Sequence, residues 1–180
     1  VIDDVASSTE ERVFAACAAS KIPMIRVMFN PPQADDYPAQ EYEYCKLVDS
    51  WIPLCEKYGV KVGVQMHHGR GAMTTADMMR VVSRFDPKHI GAIWDAAHSA
   101  LAGENPEQAI DVCWSHLCLA NFKNARWQMY GRNMDGTANF KPYFCPGPDG
   151  VLSWPRAVAH LKKKGYAGTW CMPAEYTGLT

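Results

Sequence analysis

Apolar positions along this chain fall alternately into short dense runs and into longer stretches with helical spacing. Ser8-Thr9-Glu10-Glu11 sets a cap serine three residues before a glutamate, a capping-box pattern that opens a helix to about Ser20. Met24 to Phe29 (MIRVMF) is short and partly β-branched, and predicts a strand. From Pro38 to Tyr58 the spacing is helical through Tyr44, Leu47, Val48, Trp51, Leu54 and Cys55; Pro53 should bend this helix and Gly59 sits at its C-cap. Val60 to Met66 (VKVGVQM) predicts a strand, Thr74 or Thr75 the cap of a helix to about Arg84, and Ile90 to Asp95 (IGAIWD) the next strand. Asn105-Pro106-Glu107 supplies a cap residue, a proline at the first position and an acid in the first turn. Leu117 to Lys123 (LCLANFK) is again a strand, and residues 124 to 152, rich in Gly, Pro and Asn, predict a long loop. Ser153-Trp154-Pro155 opens the last helix, Gly165 ends it, and Thr169 to Met172 is the last strand.

Five helix and strand pairs in alternation imply parallel strands joined by crossover helices. Two architectures meet that pattern: an open doubly wound sheet, and part of a closed (β/α)8 barrel. Neither GxGxxG nor GxxxxGK[ST] follows any strand, so a nucleotide-binding sheet loses its main support. With 180 residues, 48% apolar and 21% charged, the chain can bury a core without staples. Its uncharged apolar runs fall short of the ~20 residues that span a bilayer, and no signal peptide opens it. A net charge of −1, from 18 basic and 19 acidic side chains, argues against a nucleic-acid partner. The run Lys162-Lys163-Lys164 belongs to a helix end, where cations complement the macrodipole. Seven scattered cysteines, odd in number and never spaced as CxxC, predict free thiols in a reducing cytoplasm.

Residues able to do chemistry gather at the C-terminal ends of the strands: Gln65, His67 and His68; Asp95 and His98; Asn121, Lys123 and Asn124; Glu175. Both architectures put their sites there. Carboxylates and imidazoles in this number suit Mn, Mg, Fe or Zn. Any one of them alone is ordinarily a cap or a loop hydrogen bond. Four clusters at four successive strand ends point instead to a site.

The segments VGVQMHHG, IGAIWDAAHSALAGENPEQAI, HLCLANFKNARW and GYAGTWCMPAEYT resemble strand-end motifs of the xylose isomerase-like barrels, the sugar phosphate isomerase/epimerase superfamily that also contains the family 2 AP endonucleases. The similarity runs from about Ser8 to the C-terminus. It implies an α/β fold, a (β/α)8 TIM barrel in which Met24 to Phe29 is the fourth strand and Thr169 to Met172 the eighth. Residues 1 to 180 would then be a single, incomplete barrel domain lacking its first three βα units, since such a barrel takes about 250 residues. Open parallel edges are avoided in natural proteins. Missing residues or another chain are therefore expected to complete the barrel, the latter as a homo-oligomer.

The resemblance also implies a metal site. Relatives bind a divalent ion through Glu, Asp, His and Glu, and those positions fall on Gln65, Asp95, Asn121 and Glu175. Two of the four are amides, which bring no charge, so a divalent metal (Mn, Mg or Zn) is expected to be held weakly or not at all. The family's HxKD reads Asn121-Phe122-Lys123-Asn124. Family epimerases and isomerases work with two glutamates, one removing a proton beside a carbonyl and the other returning it. Gln65 cannot act as a base, which leaves Glu175, with His98 or His67 as second proton carrier. His67, His68, Lys123, Asn124 and Arg126 are expected to hold the substrate. Trp94, Trp127 and Trp170 either stack on a sugar ring or belong to the core.

The function so implied is a sugar isomerase or epimerase of carbohydrate metabolism, acting on a keto or aldo sugar or polyol. A dehydratase acting on a keto-inositol is a close enzymatic relative of that reading. The alternative from another class is a non-catalytic sugar-binding or accessory barrel protein, which accounts directly for the two amides. DNA repair at abasic sites would ask for a metal cluster rich in His and acids and for a basic face, and neither is evident in the sequence.

Overall fold

The computed structural model describes residues 8–31, 33 and 36–177. In chain order its elements are α1 (Ser8–Ala19), β1 (Met24–Val27), α2 (Tyr37–Tyr58), β2 (Lys61–Gln65), α3 (Thr75–Val82), β3 (Ile90–Asp95), α4 (Ala96–Leu101), α5 (Pro106–Cys113), β4 (Leu117–Asn121), β5 (Asn124–Arg132), β6 (Ala138–Cys145), α6 (Trp154–Lys163) and β7 (Thr169–Cys171). Five strands form one parallel sheet in the order β1-β2-β3-β4-β7. A doubly wound sheet requires a point where strand order reverses. Here order follows the chain throughout, as in the wall of a barrel, and the sheet supplies five of the eight strands of one.

Alternation along each strand sends neighbouring side chains to opposite faces. One face carries Ile25, Val27, Val62, Val64, Ile90, Ala92, Trp94 and Ala120, all buried against the helices in the main core. In-register neighbours on the other face are Arg26, Gly63 and Gly91, then Gln65 with Ile93, and Asp95 with Asn121. Gly63 makes room for its neighbours there: a Cβ would stand 2.8 Å from Ile93 Cδ1 and 2.9 Å from Met24 Sδ, and those side chains would have to shift. The polar positions cluster where the strands end.

Local chemistry explains the helix starts. Asp36 accepts from the Ala39 amide beside Pro38, Asn105 from the Glu107 and Gln108 amides, and Ser153 from the Arg156 amide. Thr74, not Thr75, caps α3, in a capping box with Asp77. The cap expected at Ser8 rests on a side chain outside the described residues. Helix α2 is continuous across Pro53 and ends at Gly59 in the left-handed region, φ 64°.

One expectation is corrected. Residues 124 to 152 are not one loop. They hold the antiparallel hairpin β5–β6, with Met129 opposite Phe140, Trp127 opposite Pro142 and Ala125 opposite Phe144. The period-two signal is present in both strands, but Gly131, Gly136 and Pro142 read as loop punctuation. Pro142 is tolerated because this two-stranded sheet leaves every strand an open edge. Helix α4, six residues long, is not among the elements predicted from the sequence and begins directly after Asp95 with no connecting loop.

Candidate active site

Asp95 closes β3 and begins α4 at once, and both roles bind its carboxylate. Its Oδ1 accepts from the backbone amides of Ala97 (3.0 Å) and His98 (3.2 Å), capping the helix. Its Oδ2 accepts from Gln65 Nε2 and Asn121 Nδ2, each at 2.6 Å. A carboxylate offers about four lone-pair positions, and all are taken. Asp95 is fully buried, and burial pushes its carboxyl above the ordinary range, against lowering contributions from Lys123, Asn121 and the two backbone amides.

Lys123 lies beside this hub. The turn that carries it is fixed by its neighbour Phe122, which stacks on Trp170 (5.4 Å, 17°) and meets Trp94 and Trp154 edge-on at 5.8 and 5.7 Å. The Phe122 amide also donates to the Cys171 carbonyl at 2.7 Å. With Phe122 turned into the aromatic cluster, the next side chain points the other way. Lys123 is 4% exposed, and its Nζ donates to Glu175 Oε2 at 2.7 Å and stands 3.6 Å from Asp95 Oδ2. Phe144 lies beneath the same ammonium at 5.1 Å, a cation–π contact. Glu175 follows β7 and is half exposed; Lys123 holds its carboxyl below the usual range, with smaller contributions from Arg26 and His67. Thr177 then ties this segment to β6 by two hydrogen bonds with the Phe144 backbone, of 2.9 and 3.0 Å.

Two imidazoles complete the cluster. His67 and His98 lie with ring centroids 3.7 Å apart. His67 Nδ1 is 2.6 Å from the His68 carbonyl oxygen, which can only accept, so the proton sits on Nδ1 and Nε2 keeps its lone pair. Burial lowers the basicity of His67, and Lys123 and Arg70 lower it further. His98 is fully buried, neither of its ring nitrogens has a hydrogen-bond partner, and burial drives its pKa down to about 2. Gln65 Oε1 and Asn121 Oδ1 are likewise buried without partners.

Of the residues picked from sequence, Gln65, Asp95, Asn121, His98, His67, Lys123 and Glu175 come together. His68 stands at the edge of the group, where its ring meets Trp127 at 5.0 Å. Asn124 is turned elsewhere. Its Nδ2 donates to the Gly147 and Leu152 carbonyls, and its Oδ1 accepts from the Leu152 and Ala125 amides. Arg126 is also outside the group: its guanidinium covers Tyr143 at 4.6 Å and donates to the Asp149 carbonyl. Of the tryptophans, Trp94 is buried in the core, Trp170 stacks on Phe122, and Trp127 is 41% exposed at the edge of the site. Sequence reading overlooked Arg26 and Phe144. A lone arginine inside the apolar strand MIRVMF was the available signal for the first.

As arranged, the four family positions do not fit a divalent cation. Asp95 has no lone pair to spare, both amides aim N–H groups at it, and an ammonium stands 3.6 Å away. Among the described residues no group of three or more His, Cys, Asp or Glu side chains could hold a metal ion. All seven cysteines are free, and no described helix is long and apolar enough to cross a membrane.

A family profile of xylose isomerase-like TIM barrels matches residues 10–177. An inosose dehydratase of Lactiplantibacillus plantarum is 25% identical over 139 residues, which cover 74% of this chain and 46% of the dehydratase. The chain thus spans about half the length of that curated relative. Among solved structures, a 3-keto-D-glucoside 4-epimerase from E. coli superimposes with a TM-score of 0.70 at 16% identity, covering 94% of this chain and 63% of the epimerase. The IolI protein with a bound zinc atom does so with a TM-score of 0.69 at 16% identity, covering 91% and 58%. At those identities the likeness is one of fold.

Proposed function

The chain belongs to the xylose isomerase-like TIM barrel family, and we propose that it carries the proton-transfer half of an enzyme acting on a keto sugar or keto polyol, with dehydration favoured over isomerisation or epimerisation. One observation carries this reading: of the two carboxylates in the cluster, Asp95 is saturated and Glu175 alone reaches solvent. Epimerisation needs a second base to exchange a proton on the opposite face, and the position for it is the amide Gln65. Elimination needs one base.

In the proposed reaction Glu175 takes the proton from the carbon beside the carbonyl. Lys123 donates an N–H to the carbonyl oxygen as it becomes an enolate. The carbon–oxygen bond at the next position then breaks, and the hydroxyl leaves with the proton held on Glu175, so that one water is lost in all. His67, neutral with a lone pair on Nε2, accepts a substrate hydroxyl. It also suits the second proton position better than His98, which stays unprotonated far below neutral pH. The likeness to inosose dehydratases supports a cyclic keto polyol as substrate. Closure of the barrel, by residues outside these 180 or by a second chain, is part of the proposal, as is a cytoplasmic setting for seven unpaired thiols.

A non-catalytic polyol-binding role has its own supporting observation, because the Lys123 pairing makes Glu175 a weaker base. Incubating the protein with a keto-inositol and following the unsaturated ketone by absorbance tests both. Turnover that Glu175→Gln lowers by roughly 10²- to 10⁴-fold, with affinity retained, supports the enzyme. Binding without turnover in the wild type would establish the other reading.

A further inference from the structure

We propose that Lys123 is the resident cation of this site: its ammonium holds the place between Asp95 and Glu175 that a divalent ion would take, and a polyol binds here without metal. The inference rests on the reading of this cluster as the ligand site, and it starts from the disagreement between the donor set and a metal. Three independent features carry it.

The first is enclosure. Lys123 is 4% exposed, and a lysine is rarely buried unless paired. Its ammonium has one carboxylate at 2.7 Å, a second at 3.6 Å and an aromatic face at 5.1 Å. The second feature is the direction of the amides. Gln65 and Asn121 both turn N–H toward Asp95 and leave their oxygens without partners. Metal coordination would need the oxygens on the inside, since an amide binds a hard cation through oxygen alone. The third is local charge. Asp95 and Glu175 against Lys123 leave one net negative charge, and a dication placed among them would stand against the ammonium at close range.

Chemical use follows from the donor count. An ammonium has three N–H bonds. One is spent on Glu175, and Asp95 at 3.6 Å is beyond hydrogen-bond distance, so donors remain for an incoming oxygen. The two unpartnered amide oxygens are acceptors for hydroxyl groups. Neutral acceptors together with a fixed cation suit a neutral polyol with one polarised oxygen.

The test is a Mn²⁺ titration of the chelator-treated protein, with free Mn²⁺ read by electron paramagnetic resonance and folding by melting temperature. Wild type should take up no Mn²⁺ saturably at up to roughly millimolar concentration. Lys123→Gln leaves two carboxylates without their cation and frees the Gln65 and Asn121 amides to turn their oxygens inward, so it should gain a Mn²⁺-dependent rise in Tm, and Lys123→Arg should not. Calorimetry with a keto-inositol in excess chelator should give the same affinity as without chelator, lowered about 10- to 100-fold by Lys123→Gln.

Saturable uptake of roughly one Mn²⁺ per chain by wild type, abolished in Asp95→Asn, overturns the proposal, whether or not the lysine variant folds. So does a folded Lys123→Gln chain indifferent to Mn²⁺. The two readings fail separately. Mn²⁺ exclusion with no keto-inositol binding removes the proposed substrate and keeps the resident cation, and keto-inositol turnover that needs Mn²⁺ does the reverse.

Discussion

The rings of His67 and His98 lie centroid to centroid at 3.7 Å, tilted by 41°, and both are less basic than a free imidazole. Burial is the main cause in each. Lys123, His67 and His68 add repulsion at His98, while Asp95 Oδ2 stands 3.9 Å from its Nε2.

Stability should therefore fall as pH drops below about 6.5. Both groups have depressed native pKa values, so below that pH the unfolded chain binds protons that the folded chain does not. His98, at about 2 in the folded state, contributes a slope approaching about 1.4 kcal/mol per pH unit through the acid range. Asp95 is raised and works the other way, opposing the decline at the acid end. Urea midpoints measured between about pH 7 and pH 5 should fall, and His98→Phe should flatten the slope. An unchanged slope in that variant would remove His98 from the account.

Asn124 makes a structural prediction where a substrate-binding role would make a functional one. Its side chain joins β5 to the 147–152 segment through two donated hydrogen bonds and one accepted, and it accepts a further one from the Ala125 amide within β5. Asn124→Asp replaces the donor with an acceptor facing the Gly147 and Leu152 carbonyls. That variant should lose about 2–4 kcal/mol, at least as much as Asn124→Ala. Denaturant unfolding measures it, and loss of polyol affinity at unchanged stability would return Asn124 to the ligand site.

How much of this was legible in sequence divides along physical lines. The strand ends were, because each strand is bounded by caps and breakers such as Asn105-Pro106 and Gly59. Convergence of Gln65, Asp95 and Asn121 was also legible, since parallel strands in register bring equivalent ends together. What Asp95 does there was not. Its four donors come from β2, β4 and its own helix, and a single sequence does not say that a carboxylate will be saturated. The Lys123–Glu175 pair spans 52 residues and depends on Phe122 turning inward, a packing decision made by three tryptophans. The hairpin was missed because its glycines and Pro142 outweighed a valid alternation.

The thiols should sort by burial when the folded protein is alkylated. Burial pushes Cys55 and Cys118 up to about 11 and Cys113 to about 12, so near neutral pH they carry almost no reactive thiolate. Cys17 and Cys171 are partly exposed and should be labelled by iodoacetamide well before the buried Cys55 and Cys113, with the partly exposed Cys118 between them. Mass spectrometry of timed digests gives the order. Early labelling of Cys113 would contradict its packing, in which Sγ lies 3.6 Å from the Ile110 carbonyl.

Helices α2 and α3 are joined by a shared carboxylate, and its energetics should be non-additive. Glu41, with its side chain 8% exposed, meets Arg80 Nε through Oε2 and Arg84 through Oε1, each at 2.6 Å, while both arginines are more than half exposed. Removing either arginine leaves the buried carboxylate one partner, so Arg80→Ala and Arg84→Ala should each lower the unfolding midpoint only slightly, as the loss of an exposed ion pair does. Removing both strands a charge in a largely buried position, and the double variant should lose clearly more than the sum of the two single effects. Glu41→Ala should cost less than that, because the arginines it frees return to water. A double-mutant cycle on denaturant unfolding measures the coupling. Additive single effects would mean that each arginine acts alone and that the carboxylate is not the shared element.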